Sequence, residues 1–359
     1  MSALAYADHR RDPAAWASEL AISRAAVELY LASDVLDLHV DSFIWHRIGI
    51  YDLTRRHGHG LFDARFYSQV DFPRIREAQV SGATWVITTN PLRDASDRAE
   101  TFVKNVRELR AIFTAHAADF RVVRNVVEYR AARADGVHAA FLGIQGGNAL
   151  DRDLDALDLI PDDVILRVTL VHLSSSRIGV TSSPMKISGD EGLTDFGRAY
   201  VERLNEKKIF VDLAHISRRG FFDAIEVHDR TKPVIVTHTG VSGVHEHWRN
   251  LDDAQLRAVG ELGGVVGIMY QSSFLGEPLW GGRLSAIVDH LDHVIRVAGE
   301  DVPALGSDWD GAITPPRDLP TCLELPRLVE EMQRRGWSDE RVQKVLAKNA
   351  LRTIEALRG

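Results

Sequence analysis

The chain has a single cysteine, Cys322, in 359 residues, so no intramolecular disulfide can form and stability must come from packing. No run of 18 or more apolar residues occurs, which excludes a membrane-spanning helix by length. Basic residues never gather beyond fragments such as Arg10-Arg11 and Arg218-Arg219, and the net charge is -8, so nucleic acid and anionic membrane are poorly matched as partners. Ser/Gly linkers, low-complexity tracts and fixed-period repeats are missing as well, and with them any marked domain boundary. The opening "MSALAYADHRRDPAAW" carries charge where a signal peptide needs its apolar stretch, and "KNALRTIEALRG" reads as a polar helix rather than an anchor signal. These absences predict a cytoplasmic protein whose partner is a small molecule.

What is present is a 45% hydrophobic content, enough for a sizeable core, arranged as short apolar runs alternating with amphipathic segments. Eight runs stand out: "VLDLHVD" from Val35, "ATWVITTN" from Ala83, "AAFLGIQGG" from Ala139, "VILRVTLVH" from Val164, "IFVDLAH" from Ile209, "PVIVTH" from Pro233, "GVVGIMY" from Gly264 and "VPALGSD" from Val302. Between them lie helical patterns such as "SDRAETFVKNVRELRAIFTAHA", with Ser96 the expected N-cap, and "GLTDFGRAYVERLNEKK", with apolar residues at helical spacing after Thr194. Strands buried on both faces and followed by helices predict a (β/α)8 TIM barrel with packed side chains inside. A doubly wound sheet is the alternative, but its Gly-rich phosphate fingerprint after the first strand is missing. The expected layout is an N-terminal helical extension over 1–34, the barrel over 35–311, and C-terminal helices packed on it over 312–359.

Catalytic groups of such a barrel sit at the C-terminal ends of its strands, where loops open to solvent above a rigid frame. The ends of these runs hold His39 and Asp41, then Gln145, His172, His215, His238 and Asp308. A lone histidine or aspartate at a strand end is usually a hydrogen-bonded rim residue. Here five of the eight runs end in His or Asp, all at the same end, which a core merely tolerating polar groups does not explain. Residues i and i+2 of a strand share a face, so His39 and Asp41 can converge on one ion. His215 and His238 offer the neutral imidazoles that zinc prefers, and Asp308 can take a proton from water activated by the metal. Metal-assisted hydrolysis is the reaction class this implies.

In this order, these residues resemble the membrane (renal) dipeptidase family of the amidohydrolase superfamily. The resemblance runs from about residue 35 through "DLHVD", "QVDFPRIREAQVSGATW", "GIQGGNAL", "TLVH", "GLTDFGRAYVERLNEKKIFVDLAHIS", "PVIVTHTGVSGVHEHWRN", "GSDWDG" and "GWSDERVQKVLAKNALRTIEAL". It implies that His39 and Asp41 hold one zinc ion and His215 and His238 a second. It also implies that His172 steadies the oxyanion, Arg249 grips the substrate's terminal carboxylate, and Asp308 shuttles the proton. A planar guanidinium is suited to that grip because it can bind a carboxylate bidentately. The implied activity is hydrolysis of dipeptides, including those with a C-terminal D-residue, by a homodimer.

Gln145 departs from the family pattern, which has a glutamate bridging both zinc ions, and Asn148 stands where a histidine is usual. An amide offers one neutral oxygen and cannot neutralise two dications, so one or two zinc ions are expected, the second weakly held. Two other readings share these residues: hydrolysis of a non-peptide amide or lactone, and a binding relative without turnover. His57, His59, His245 and His247 are expected to be solvated loop residues.

Overall fold

The computed structural model describes residues 4–60, 62–184 and 191–359. Among them are nine strands: β1 (Leu36–Val40), β2 (Gly82–Thr88), β3 (Phe120–Val122), β4 (His138–Gln145), β5 (Ile165–Thr169), β6 (Phe210–Asp212), β7 (Ile235–Thr239), β8 (Val265–Ile268) and β9 (Pro303–Leu305). All pairings are parallel, and the ring closes because β9 pairs with β1 while β2 pairs with both β1 and β4. The result is an eight-stranded (β/α) barrel, and closure excludes the doubly wound sheet. Each expected apolar run supplies one barrel strand, and every residue of β1, β2 and β4 is buried.

β3 is the strand that the run pattern does not show. It is three residues long, Arg121 and Val122 are only half-buried, and it pairs alongside the start of β4 at His138–Ala140. So short a segment has no readable period.

The long helix Ala95–Ala115 buries Ala99, Phe102, Val106, Leu109 and Phe113 at three-to-four spacing. Its cap is Asp94 and not Ser96: the Asp94 carboxylate accepts from the Asp97 amide at 2.9 Å, which leaves Ser96 inside the first turn. Thr194 caps helix Asp195–Glu206 through the Gly197 amide, also at 2.9 Å. Before the barrel, helices Pro13–Leu20 and Arg24–Ala32 pack on each other, and the second also packs on helix Pro326–Arg334. The C-terminal helix Asn349–Arg358 lies against β8 and β9.

Glu77 ties the N-terminal segment to the barrel. Its carboxylate accepts from the Ala7 amide at 3.1 Å and from both terminal nitrogens of Arg56 at 2.5 and 2.9 Å, and it faces His9. Burial opposes its charge, but the hydrogen bonds from His9, Arg56 and Ala7 prevail and hold its pKa down at about 2. A depressed carboxylate stabilises the fold above its unfolded pKa of about 4.3 and loses that contribution as pH falls towards the folded value. Glu77→Gln is therefore expected to cost about 2 kcal/mol at pH 7. Urea melts of both proteins should show this gap narrowing below about pH 4. A gap independent of pH would show that packing, not charge, is what the residue contributes.

Candidate active site

His39 and Asp41, at the end of β1 and its extension, both look into the barrel: His39 meets Arg167 of β5, and Asp41 lines the cavity, although a register shift between Asp37 and Val40 interrupts the strand's alternation. The apolar interior expected from the sequence gives way here to a buried polar network. Arg167 of β5 donates from Nη1 to Asp212 Oδ2 of β6 at 3.1 Å, to Thr169 Oγ1 at 2.5 Å and to the Ile144 carbonyl at 3.1 Å. Asp212 also accepts from Thr169 Oγ1 at 2.6 Å, from Thr237 Oγ1 at 2.7 Å, and from the amides of Ala214 and Thr237 at 3.1 Å. Gly143 of β4 makes the room: a Cβ there would lie 2.7 Å from Nε of Arg167. Reading strand ends alone misses Arg167, Thr169, Asp212 and Thr237. The available signal is a charged residue inside an otherwise apolar run, in "VILRVTLVH" and "IFVDLAH".

All the residues singled out from the sequence meet above this network. Asp41, Gln145, His172, His215, Arg249 and Asp308 line one cavity of about 400 Å³, and His39 and His238 lie behind it with ring centroids 3.7 Å apart and ring planes tilted by 47°. His215 and Asp308 adopt left-handed backbone conformations, φ +66° and +64°, which non-glycine residues rarely hold. Such strain persists where surrounding bonds impose it. Here the His215 carbonyl accepts from the Ser182 amide at 2.7 Å, and the Asp308 amide donates to the His39 carbonyl at 3.2 Å.

Proton positions follow from the partners. Thr237 Oγ1 gives its proton to Asp212, so it accepts from Nδ1 of His238 at 2.9 Å and leaves the His238 Nε2 lone pair open. Nε2 of His215 lies 2.8 Å from that nitrogen and donates to it, while Nδ1 of His215 has no partner among the described residues and is free to carry the proton instead, which opens Nε2 to an ion. The Gln145 amide is satisfied at both ends when its nitrogen donates to the two Asp41 oxygens, at 2.9 and 3.2 Å. Its oxygen then faces Nε2 of His215 and of His238 at 3.5 Å each. Two imidazole nitrogens and a carbonyl oxygen thus converge on one point.

Burial sets most of the charge states. It lowers the pKa of His172 to about 4 and those of His215 and His238 well below the usual histidine range, so all three are neutral at pH 7. It lowers that of Arg249 to about 10, against the pull of Asp308 and Asp212, so the guanidinium stays charged. Asp308 is pushed well above the carboxylate range by burial and by the neighbouring charge of Asp41. Arg249 spends Nη2 on the His238 carbonyl at 2.6 Å, while its side chain lines the cavity.

These residues fit one cation, held by His215, His238 and the Gln145 oxygen. They do not fit a two-ion centre. A neutral amide stands where two dications need a bridging carboxylate, and Nδ1 of His39 takes a hydrogen bond from Arg167 Nη2 at 2.8 Å. His39, His238 and Asp308 also place ligand atoms within 4.8 Å of one another, but that grouping includes the same His39.

A second lobe of about 480 Å³ shares Ile44, Thr88, Gln145, His172 and Leu173 with the first and adds Arg47 and Asn148. Asn148 is buried, and among the described residues its Nδ2 has no partner. Of the loop histidines, His59 is an exposed partner of Asp63, and His57 stacks on Tyr51. His57, His245 and His247 depart from the solvated reading in being half-buried, and His247 also stacks on the cavity-lining Phe274 with centroids 4.2 Å apart and accepts from the Arg249 amide through Nδ1 at 3.3 Å.

A closed parallel barrel with imidazoles and carboxylates gathered at its C-terminal mouth defines a hydrolase of the metal-dependent barrel class. Residues 23–358 match the family model for membrane dipeptidases, peptidase family M19, and the chain belongs to that family. A metallo-peptidase from Rhodobacter sphaeroides, solved with a phosphinate mimic of the dipeptide L-Ala-D-Ala, is 26% identical, with a TM-score of 0.79 over 90% of this chain and 99% of that one. The family M19 metallo-peptidase described as dipeptidase AC is 27% identical, with a TM-score of 0.80 over 91% and 99%. The probable dipeptidase PvdM from Pseudomonas aeruginosa shares the fold at 16% identity, with a TM-score of 0.81 over 93% and 98%. Among the described residues of this chain, no helix is long and apolar enough to cross a membrane.

Proposed function

We propose that the protein is a zinc-dependent dipeptidase acting on dipeptides with a free C-terminal carboxylate, those ending in a D-residue included. The observation that carries this reading is the presence of Arg249, Asp308 and the converging nitrogens of His215 and His238 around one cavity. Family membership supports the reaction, and the Rhodobacter sphaeroides relative with its L-Ala-D-Ala mimic supports the substrate class. A donor set led by two imidazoles favours zinc.

A bound ion would supply Lewis acidity, polarising the scissile carbonyl and lowering the pKa of the attacking water towards about 7. The chain does the rest. Arg249 holds the terminal carboxylate in the first lobe, because a guanidinium matches both oxygens at once. His172, neutral and lining both lobes, donates to the carbonyl oxygen as it gains charge. Asp308, whose proton affinity is raised, takes a proton from the attacking water and delivers it to the leaving amine. The second lobe, with Arg47 and Asn148, receives the N-terminal residue.

The test is amine release from a panel of L,L and L,D dipeptides with zinc present, run beside N-acyl amides followed in the same way and lactones followed by acid release. Turnover within the dipeptide panel is the expected result. Turnover confined to the amides or lactones would reassign the substrate, and tight binding without turnover would make the protein a binding relative.

A further inference from the structure

We infer that Arg167 closes the His39 half of the site to a metal ion, leaving a single metal position formed by His215, His238 and the carbonyl oxygen of Gln145. The inference rests on the metal-dependent reading above and specifies its metal centre.

Hydrogen counting carries it. A guanidinium donates and never accepts, so at 2.8 Å from Arg167 Nη2 the Nδ1 atom of His39 must be the acceptor. A neutral imidazole has one N–H, and that proton must then sit on Nε2. The surroundings agree: Nε2 faces Asp41 Oδ2 at 3.3 Å and Asp308 Oδ1 at 3.6 Å, both acceptors. One nitrogen is spent on Arg167 and the other carries the proton, so neutral His39 has no lone pair left for an ion.

Arg167 cannot readily turn away. It is fully buried, and its Nη1 is held by Asp212, Thr169 and the Ile144 carbonyl. The space it fills exists because residue 143 is glycine. Removing the guanidinium from this position would leave Asp212 a buried carboxylate without its cation, the costly way to break such a pair.

The same Asp212 has the opposite effect on the other histidine. Through Thr237 it fixes the His238 proton on Nδ1 and opens Nε2; through Arg167 it helps fix the His39 proton on Nε2 and closes it. Two adjacent histidines from β1 and β7 are thereby set in opposite tautomers by one buried ion pair. The neutral amide of Gln145 fits a one-ion centre, since its nitrogen serves Asp41 while its oxygen completes the remaining position. Restoring a carboxylate at residue 145 does not by itself restore a second position, because His39 stays closed.

Two measurements test this. Long-range 1H–15N correlation on histidine-labelled, metal-free protein, with His39 assigned from its loss in His39→Asn, should show His39 protonated on Nε2 and His238 on Nδ1. Elemental analysis after dialysis against dilute zinc should find about one zinc per chain in the native protein and in Gln145→Glu. In Gln145→Glu combined with Arg167→Met and Asp212→Asn, which removes the buried pair without a net charge change, it should find about two, the two-metal family arrangement. His39 protonated on Nδ1, two zinc ions in the native protein or in Gln145→Glu, or one in a triple variant whose His238 still carries its proton on Nδ1 would each overturn the role given to Arg167. Zinc in none of the proteins would instead overturn the metal-dependent reading and the single position with it. Should the triple variant fail to fold, the tautomer measured in the native protein decides.

Discussion

Replacing Asp308 with asparagine should lower kcat/KM for a dipeptide by about 10²- to 10⁴-fold, the usual contribution of a positioned proton-transfer group. The substitution is well suited to isolating the proton. Asparagine has almost the same shape, and it is among the few residues that tolerate a left-handed backbone, so φ +64° is no obstacle. Its effect on folding should be neutral or favourable, because burial and the neighbouring Asp41 already oppose the charge of Asp308. Activity and stability should therefore separate: turnover collapses while the melting temperature stays level or rises. Retained turnover would remove Asp308 from the chemistry. A parallel fall in melting temperature and activity would make it a structural residue.

The parts of this site legible in the sequence are those that strand geometry dictates. Apolar runs marked the eight barrel strands, and the period of two placed His39 and Asp41 on one face. The position of Gln145 in "GIQGG" is by itself enough to show its departure from the family pattern. Other features were hidden because they depend on contacts between strands far apart in the chain. Arg167 is 128 residues from His39, and Asp212 is 45 from Arg167, so nothing local ties them together. The left-handed backbones of His215 and Asp308 leave no compositional trace, since neither residue is glycine. Asp94 and Ser96 are both good capping residues two positions apart, so the sequence alone does not separate them, and only the hydrogen bond to Asp97 does. A charged residue in the middle of a strand buried on both faces is a usable cue: it must meet a partner inside the barrel or outside it, and Arg167 and Asp212 meet each other.

Arg249→Met should leave the fold intact and reduce kcat/KM for dipeptides by roughly 30- to 4,000-fold, the equivalent of about 2–5 kcal/mol for removing one partner of a buried, hydrogen-bonded charge pair. The loss should be greatest for substrates with a free carboxylate, since that is the group proposed to bind Arg249. Native protein acting on C-terminally amidated dipeptides should show a comparable deficit, while the Met variant should discriminate little between acid and amide. The four rates form a double-mutant cycle whose coupling term isolates the contact between guanidinium and carboxylate from any general damage to the cavity. Arg249→Lys should recover only part of the loss, because a single ammonium cannot reproduce the planar fork. Arg249 also donates to the carbonyl of His238, so some disturbance of that histidine is expected in either variant, but it should affect acid and amide substrates equally. A coupling term near zero would mean that the carboxylate binds elsewhere. Arg47, which lines the second lobe, would then be the cation to examine, and the substrate would lie in the opposite direction across Gln145 and His172.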